Sequence, residues 1–205
     1  MAVVGLVVRA GMVLSACGDG DSGAAAAAET ASEGSTGSVA GDELFPSTAE
    51  VGSGTPAATL SPDAVPDIEL ELLGNENFTK GQLVNLHDFA GKPVVLNFWF
   101  PSCPPCRLEM PDLEESWQAH REDGVQFVGV QQLSLDSVQD GQDFIDENGI
   151  TYAIGADKGT RTAVDYSIRG FPTTLFLDAE LSQVARWDGL LNFEKLEELV
   201  ALLLE

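Results

Sequence analysis

Residues 94–106 have the sequence VVLNFWFPSCPPC, in which a run of apolar residues leads directly into two cysteines. Such an apolar run is typical of a central β-strand that is covered on both faces. The residues after the second cysteine, from Arg107 to His120, carry apolar side chains at near-helical spacing and predict a helix. Two thiols at the start of a helix, just past a buried strand, indicate dithiol–disulfide exchange. A purely structural crosslink is a poor explanation, because closing so short a loop gains little stability.

The composition limits the partners and the kinds of site. The chain has 205 residues and a formal net charge of -23. So acidic a protein is not suited to bind nucleic acid, because phosphate binding depends on Lys and Arg. Its three cysteines are too few for a disulfide-stapled scaffold or for a structural zinc site. We predict no metal site and no cofactor other than a Cys103–Cys106 disulfide.

The N-terminal residues have the features of a lipoprotein leader. Residues 1–16 are apolar except for Arg9 and are too few to span a bilayer as a helix. They lead into Leu14-Ser15-Ala16-Cys17, which resembles the lipobox of bacterial lipoproteins, where the cysteine is lipidated and becomes the mature N-terminus. Small residues suit a cleavage site, although Arg9 lies inside the apolar run rather than before it. We predict a signal peptide at 1–17, with Cys17 as the lipidated residue.

The next segment, residues 18–61, differs in composition from the rest. It is rich in Gly, Ala, Ser, Thr, Asp and Glu, and it has no periodic apolar pattern. Such a sequence cannot bury enough apolar surface to offset the entropy of ordering, so we predict a disordered tether. The folded domain is predicted at 62–205. This organisation indicates an extracytoplasmic protein that is held to the bacterial cell membrane by a lipid anchor.

The predicted domain alternates strands with helices. Residues 68–72 alternate apolar with acidic side chains and predict a half-buried strand, which forms a hairpin with a second strand at 82–86. Pro111 is expected to kink the helix that follows the cysteines. The other strands are predicted at 125–130, 151–154, 173–177 and 183–187, and the other helices at 136–148, at 160–166 and after a cap at Asn192. This order predicts an α/β fold, a central mixed sheet with helices on both faces.

The helix N-terminus determines how the two thiols are expected to react. A thiolate is the attacking species, and the free N–H groups of a helix N-terminus stabilise it. We predict that Cys103 attacks a substrate disulfide and that Cys106 resolves the mixed disulfide. Pro104 and Pro105 have no N–H, which leaves Cys106 as the main donor to Cys103 and Arg107 as a second candidate. Without a His between the cysteines, we expect a moderately lowered pKa of Cys103 and a reducing couple.

Four short motifs together resemble one family. They are Asn97-Phe98-Trp99, Cys103-Pro104-Pro105-Cys106-Arg107, Glu109-Met110-Pro111 and Gly170-Phe171-Pro172-Thr173. On these motifs the chain, from about Pro66 to Glu205, resembles the extracytoplasmic thioredoxin-like proteins of the TlpA/ResA/CcmG type. The resemblance implies a thioredoxin fold with an N-terminal β-hairpin and a central strand–helix insertion. It also implies the activity of a thiol-disulfide oxidoreductase.

The resemblance further implies where a substrate binds. In this family the proline that matches Pro172 is cis and lies beside the cysteines, and the backbone of the preceding residue, here Phe171, pairs with the substrate chain. Pro104, Pro105 and Trp99 are the other predicted substrate-binding residues. The implied partners are cysteine-containing proteins outside the cytoplasm and a membrane redox donor of the DsbD/CcdA type. The protein itself is predicted to be a monomer.

Glu109 is the candidate proton partner of the cysteines. Thioredoxins place a carboxylate beneath the motif at the position of Asn97, which cannot ionise. Glu109 follows Cys106 by three residues on the same helical face, and the resembling family has a Glu there that is linked to proton handling. We predict that Glu109 is the acid–base partner or pKa tuner of Cys106. The alternative is a first-turn Glu that only favours the helix dipole.

Three other functions fit parts of the pattern. A peroxidase of the peroxiredoxin kind shares the fold, but it needs Thr or Ser three residues before its reactive cysteine, where this chain has Phe100. Two thiolates can bind Cu(I), although copper chaperones of related fold add a His and space their cysteines more widely. The third is an oxidase or isomerase of secreted proteins. As a reductase, the protein could serve cytochrome c maturation or another assembly factor, and Ser102, where many relatives have Trp, leaves that choice open.

Overall fold

The computed structural model describes residues 60–133, 136–159 and 161–205. The predicted signal peptide, the predicted lipidation site Cys17 and the predicted tether up to residue 59 lie outside the described residues. Within the described ranges, no helix has both the length and the apolar character needed to cross a membrane.

The described residues form a mixed seven-stranded sheet with helices around it, which confirms the predicted α/β class. The strands are β1 (Glu69–Leu72), β2 (Leu83–Asn85), β3 (Val94–Trp99), β4 (Gln126–Gln132), β5 (Ala153–Asp157), β6 (Thr173–Leu177) and β7 (Gln183–Asp188). The helices are α1 (Pro104–His120), α2 (Val138–Asn148), α3 (Thr162–Asp165) and α4 (Phe193–Ala201). The strand order is β2-β1-β5-β4-β3-β6-β7. Strands β3, β4 and β5 run parallel to one another, and the other pairs are antiparallel.

Strand β3 lies inside the sheet and positions the site. All six of its residues are buried, as the apolar run predicts. Its side chains alternate between two apolar layers: Val94, Leu96 and Phe98 pack into one, and Val95 and Trp99 pack into the other together with α1. The alternation places Asn97 on the α1 side as well. The strand therefore ends beneath the start of the helix that carries the cysteines.

Helix α1 begins at Pro104, three residues before the predicted start. Proline fits the first helical positions because its backbone angle is already helical and its missing N–H would have no partner there. The helix continues through Pro111 to His120. Its inner face presents Cys106, Met110, Leu113 and Trp117 to the apolar layer that also contains Trp99. This packing holds the N-terminus of α1 against the end of β3.

The predicted N-terminal hairpin and the central insertion are both present. β1 pairs antiparallel with β2, and the insertion consists of α2 and β5 between β4 and α3. β5 starts at Ala153 and ends at Asp157, later than the predicted 151–154. Gly155 and Ala156 have weak intrinsic strand propensity, but pairing with β1 on one side and β4 on the other places them in the sheet.

The C-terminal elements follow the predicted order. β6 and β7 form the predicted antiparallel hairpin. Helix α4 begins after Asn192, whose side chain accepts a hydrogen bond from the N–H of Lys195 at 2.9 Å, as its prediction as N-cap requires. Between β7 and α4, the backbone N–H of Gly189 donates to the carbonyl of Pro172, and that of Leu191 donates to Glu109 of α1.

Candidate active site

The two cysteines form a disulfide at the N-terminus of α1. Cys103 is the N-cap of the helix and Cys106 lies in its first turn. Cys103 is 3% exposed, whereas Cys106 is completely buried. The N–H of Cys106 donates to Sγ of Cys103 at 3.2 Å. Cys103 is thus the sulfur that an incoming thiolate can reach, and it is also the sulfur that a helix N–H can stabilise as a leaving thiolate.

Two prolines limit the donors around that sulfur. Pro104 and Pro105 are the first residues of α1; the former is exposed and the latter half-buried. The backbone N–H of Arg107 donates to the carbonyl of Cys103 at 3.1 Å. The second donor considered for the sulfur is therefore used elsewhere. Within the described ranges, the N–H of Cys106 is the hydrogen bond that reaches Sγ of Cys103.

The peptide bond between Phe171 and Pro172 is cis. Pro172 is buried, and Phe171 is half-buried with its ring against the edge of the Phe100 ring, 5.2 Å between centroids. Phe100 lies three residues before Cys103, so this aromatic pair connects the cis-proline segment to the cysteine loop. The carbonyl of Pro172 accepts a hydrogen bond from the N–H of Gly189 at 2.8 Å.

Glu109 is completely buried on α1, one turn after Cys106. One carboxylate oxygen accepts from Nδ2 of Asn97 at 2.7 Å, and the other accepts from the N–H of Leu191 at 3.0 Å. Burial raises the pKa of Glu109 to about 7, and the two hydrogen bonds oppose that rise. The negative charge of Asp112 raises it further. The carboxyl can therefore exchange a proton near neutral pH.

Asn97 connects this carboxyl to the cis-proline strand. Its Nδ2 donates both to Glu109 and to Oγ1 of Thr174 on β6, the latter at 3.0 Å. Its Oδ1 is buried and has no hydrogen-bond partner among the described residues. The amide is thus oriented by its donor side alone, which matches an ionised Glu109, since a carboxylate can only accept.

A second cluster holds the loop before Cys103. The N–H and the hydroxyl of Ser102 both donate to Oδ2 of Asp136, at 3.2 and 2.8 Å. Nη1 of Arg107 donates to the carbonyl of Pro101 at 3.2 Å, and the guanidinium lies 4.6 Å from the centre of the Phe144 ring on α2. The loop is therefore attached to the α2 segment at two points.

The structure corrects one predicted substrate-binding residue. Trp99 has no exposed surface, and its ring packs on Phe144 in the apolar layer. A side chain without exposed surface cannot contact a docked protein, so the prediction of direct substrate binding by Trp99 is wrong. The pattern failed because β3 ends inside the domain, and residue alternation turns Trp99 inward beneath α1.

Sequence patterns missed Thr174, Leu191 and Asp136. Thr174 and Leu191 hold Glu109 directly or through Asn97, but one contributes through a hydroxyl within a buried strand and the other through its backbone N–H. Neither feature has a local signature. Asp136 is the first residue of the helix predicted at 136–148, and it lies just before Ser137, the N-cap of α2. Across the described ranges, no group of three or more His, Cys, Asp or Glu side chains is placed to hold a metal ion.

Comparisons with known proteins show the family of the chain. Residues 62–184 match the AhpC/TSA family. A thiol-disulfide oxidoreductase ResA from Oceanobacillus iheyensis is 34% identical over 137 residues, which cover 66% of this chain and 68% of that protein.

Two solved structures are similar in fold and sequence. The thioredoxin domain of a thiol-disulfide oxidoreductase from Bacteroides vulgatus is 28% identical, with a TM-score of 0.61 over 72% of this chain and 100% of that chain. StoA from Bacillus subtilis is 25% identical, with a TM-score of 0.56 over 68% of this chain and 99% of that chain. The predicted thioredoxin fold is thereby confirmed.

Proposed function

The chain belongs to the AhpC/TSA family and is a thiol-disulfide oxidoreductase of the ResA type with a Cys103–Cys106 disulfide, and on that premise we propose that it reduces disulfides of protein substrates outside the cytoplasm. The donor set at Cys103 is the observation that supports this direction. One N–H, from Cys106, reaches the sulfur, because the two preceding helix positions are prolines. A thiolate with few donors is weakly stabilised, so the dithiol form gives up its electrons more readily.

The first step is attack on the substrate. The Cys103 thiolate attacks one sulfur of the substrate disulfide, a Cys103–substrate S–S bond forms, and the substrate S–S bond breaks. The displaced substrate sulfur leaves as a thiolate and takes a proton from water. The small difference in exposure supports this assignment, since Cys103 retains 3% of its surface and Cys106 retains none.

The second step releases the substrate. The Cys106 thiol loses its proton, its thiolate attacks Sγ of Cys103, and the mixed disulfide breaks as the second substrate sulfur leaves. The balance is one substrate disulfide and one Cys103–Cys106 dithiol converted into one substrate dithiol and one Cys103–Cys106 disulfide. Glu109 takes the proton of Cys106 in this step. Its complete burial and its pKa of about 7 favour this role over a contribution to the helix dipole alone.

Docking uses the surface around Cys103. The backbone of Phe171 pairs with the substrate chain beside its cysteine, as in the resembling family, and Pro172 fixes the direction of that segment. Phe171 is half-buried, Pro105 is half-buried and Pro104 is exposed, so all three have surface to offer a partner.

The location and the partners extend the proposal. A lipid on Cys17 and the tether at 18–61 hold the domain at the outer face of the cell membrane. A membrane donor of the DsbD/CcdA type returns electrons to the disulfide. The substrates are cysteine-containing proteins of cytochrome c maturation or of a related assembly process. The ResA-type relatives support the redox chemistry, and the lipobox-like Leu14–Cys17 supports the anchor.

Disulfides are favoured over peroxides and copper as the target. The residue three before Cys103 is Phe100, whose ring packs on Phe171, so no hydroxyl from that position can assist attack on a peroxide. The two cysteines have no His beside them to complete a copper site. Peroxide consumption by the purified protein, or tight Cu(I) binding without reductase activity, would support those alternatives.

Trapping tests the proposed reaction. A Cys106→Ala variant can form the mixed disulfide but cannot resolve it, so we expect it to retain substrate proteins through Cys103 after isolation from cells. Reducing agent should release them, and their identity gives the substrate class. Cys103→Ala is the matched control and should retain none. A wild-type reduction potential as oxidising as that of a dedicated disulfide donor, about -120 mV for DsbA, would contradict the reductase direction.

A further inference from the structure

Asp136 is bonded to the residue that directly precedes the attacking cysteine. We propose that Asp136 is a positioning residue for Cys103, and that its charge keeps the Cys103–Cys106 couple more reducing than the helix N-terminus alone would make it. The inference rests on the proposed function in assigning Cys103 as the attacking sulfur. In this proposal Asp136 affects the reduction potential of the Cys103–Cys106 couple, in addition to the two cysteines, Pro172 and Glu109.

The contact is a double hydrogen bond to a single oxygen. Oδ2 of Asp136 accepts from the N–H of Ser102 at 3.2 Å and from its hydroxyl at 2.8 Å. Both donors belong to one residue, so the contact fixes the backbone direction as well as the side chain. The N–H of Cys103 in turn donates to the carbonyl of Phe100 at 3.1 Å, which closes the same turn. Asp136 therefore helps to position the backbone of Ser102, from which the chain continues to Cys103.

A second set of contacts, made by Arg107, also connects the cysteine loop to α2. Arg107 donates to the carbonyl of Pro101 at 3.2 Å and stacks over Phe144 at 4.6 Å. Asp136 lies immediately before Ser137, the N-cap of α2. The cysteine loop is thus attached at two places: Asp136, just before α2, binds Ser102, and Arg107, which binds Pro101, packs on Phe144 in the middle of α2. A movement of α2 relative to α1 would act on both attachments.

The charge of Asp136 acts on the reduced state. A cleft beside the cysteine loop is lined by Arg107 and by four carboxylates, those of Asp136, Asp140, Asp143 and Glu147. Of these four carboxylates, Asp136 is the one that accepts hydrogen bonds from Ser102 in the cysteine loop. A negative charge on the partner of Ser102, the residue that precedes Cys103, disfavours the Cys103 thiolate but leaves the neutral disulfide unaffected. The disulfide is therefore favoured relative to the dithiol, which makes the dithiol a stronger reductant.

The proposal is tested by the exchange equilibrium with glutathione. In that reaction the Cys103–Cys106 disulfide and two glutathione thiols give the protein dithiol and one glutathione disulfide. Asp136→Asn keeps an oxygen that can accept from Ser102 and removes the charge. We expect it to move the equilibrium constant about two- to fivefold towards the protein dithiol, the range for a partly exposed charge interaction. The shift should shrink at high salt, since an exposed charge is screened.

Asp143→Asn is the matched control, because it removes one charge from the same cleft without touching the cysteine loop. We expect a smaller shift than for Asp136→Asn. Asp136→Ala removes both the charge and the acceptor, and it serves as a second variant that should shift the constant in the same direction. An unchanged constant in both Asp136 variants, or an equal shift in Asp143→Asn, would overturn the inference.

The outcome is separable from that of the proposed function. If the wild-type potential is strongly oxidising, the reductase assignment fails, while the difference between Asp136→Asn and wild type still measures the effect of the charge. If wild type reduces protein disulfides but the Asp136 variants keep its equilibrium constant, the reductase assignment stands and the inference about Asp136 fails.

Discussion

Replacing Glu109 with Gln should make the stability of the protein depend less on pH. Burial raises the pKa of Glu109 from 4.5 to about 7. Between these values the folded protein binds a proton that the unfolded chain has lost, so its free energy of unfolding falls as the pH rises. The stabilising contribution is complete below the unfolded pKa and is lost as the pH passes through the folded one. A shift of roughly 2.5 pKa units corresponds to about 3 kcal/mol.

The surroundings of Glu109 can accommodate a glutamine. Oε1 of Gln would accept from the N–H of Leu191, as a carboxylate oxygen does in the structure. Its Nε2 would face Nδ2 of Asn97, which is a mismatch of two donors. A flip of the Asn97 amide removes it, because Oδ1, which has no partner among the described residues, then accepts from the glutamine. The hydroxyl of Thr174 can donate to the same oxygen. We therefore expect the variant to fold.

Urea unfolding of the oxidised protein between pH 5 and pH 8 measures this effect. The Glu109→Gln variant should gain stability relative to wild type as the pH rises, by up to about 3 kcal/mol at pH 8. The difference between the two proteins isolates Glu109, because every other titrating group is common to both. Parallel curves for the two proteins across this range would refute the argument that the buried carboxyl titrates near neutral pH. The rate of substrate release, measured separately, should fall in the same variant.

Two further predictions concern stability away from the cysteines. Burial lowers the pKa of His120, but the hydrogen bond to Glu197 raises it, and the net shift of the pKa is upward. This contact should therefore stabilise the fold below about pH 6.5, and its contribution should be lost as the pH passes through the raised pKa. Glu197→Gln should reduce acid-side stability by up to about 1 kcal/mol in urea titrations. A Cβ on Gly155 would lie 2.6 Å from Cβ of Leu70, so Gly155→Ala should cost about 1–3 kcal/mol. Gly170→Ala, where a Cβ meets nothing within 4 Å, should leave thermal unfolding unchanged.

Many elements of the fold were predictable because their signals are local. The apolar run at 94–100 predicted the buried strand, and Asn192 marked where α4 begins. The predicted start of α1 at Arg107 was three residues late, because Pro104 and Pro105 fit the first turn of the helix. The cis bond before Pro172 followed from the resemblance to a family. The prediction for β5 was shifted because its glycine and alanine lack strand propensity, so the strand is defined by its two neighbours.

The sequence by itself determined the chemistry: two thiols at a helix N-terminus, two prolines that limit the donors, and an acidic residue one turn later. These follow from residue type and spacing within one short stretch, and so they need no long-range contact. Tertiary structure alone decided what surrounds them. Trp99 faces inward, Glu109 is held by Asn97 and the Leu191 N–H, and Asp136 holds the loop before Cys103. Each of these contacts joins residues that are 12 to 82 positions apart in the chain and come together across the sheet and its helices. No local pattern in the VVLNFWFPSCPPC stretch indicates which distant residues it contacts.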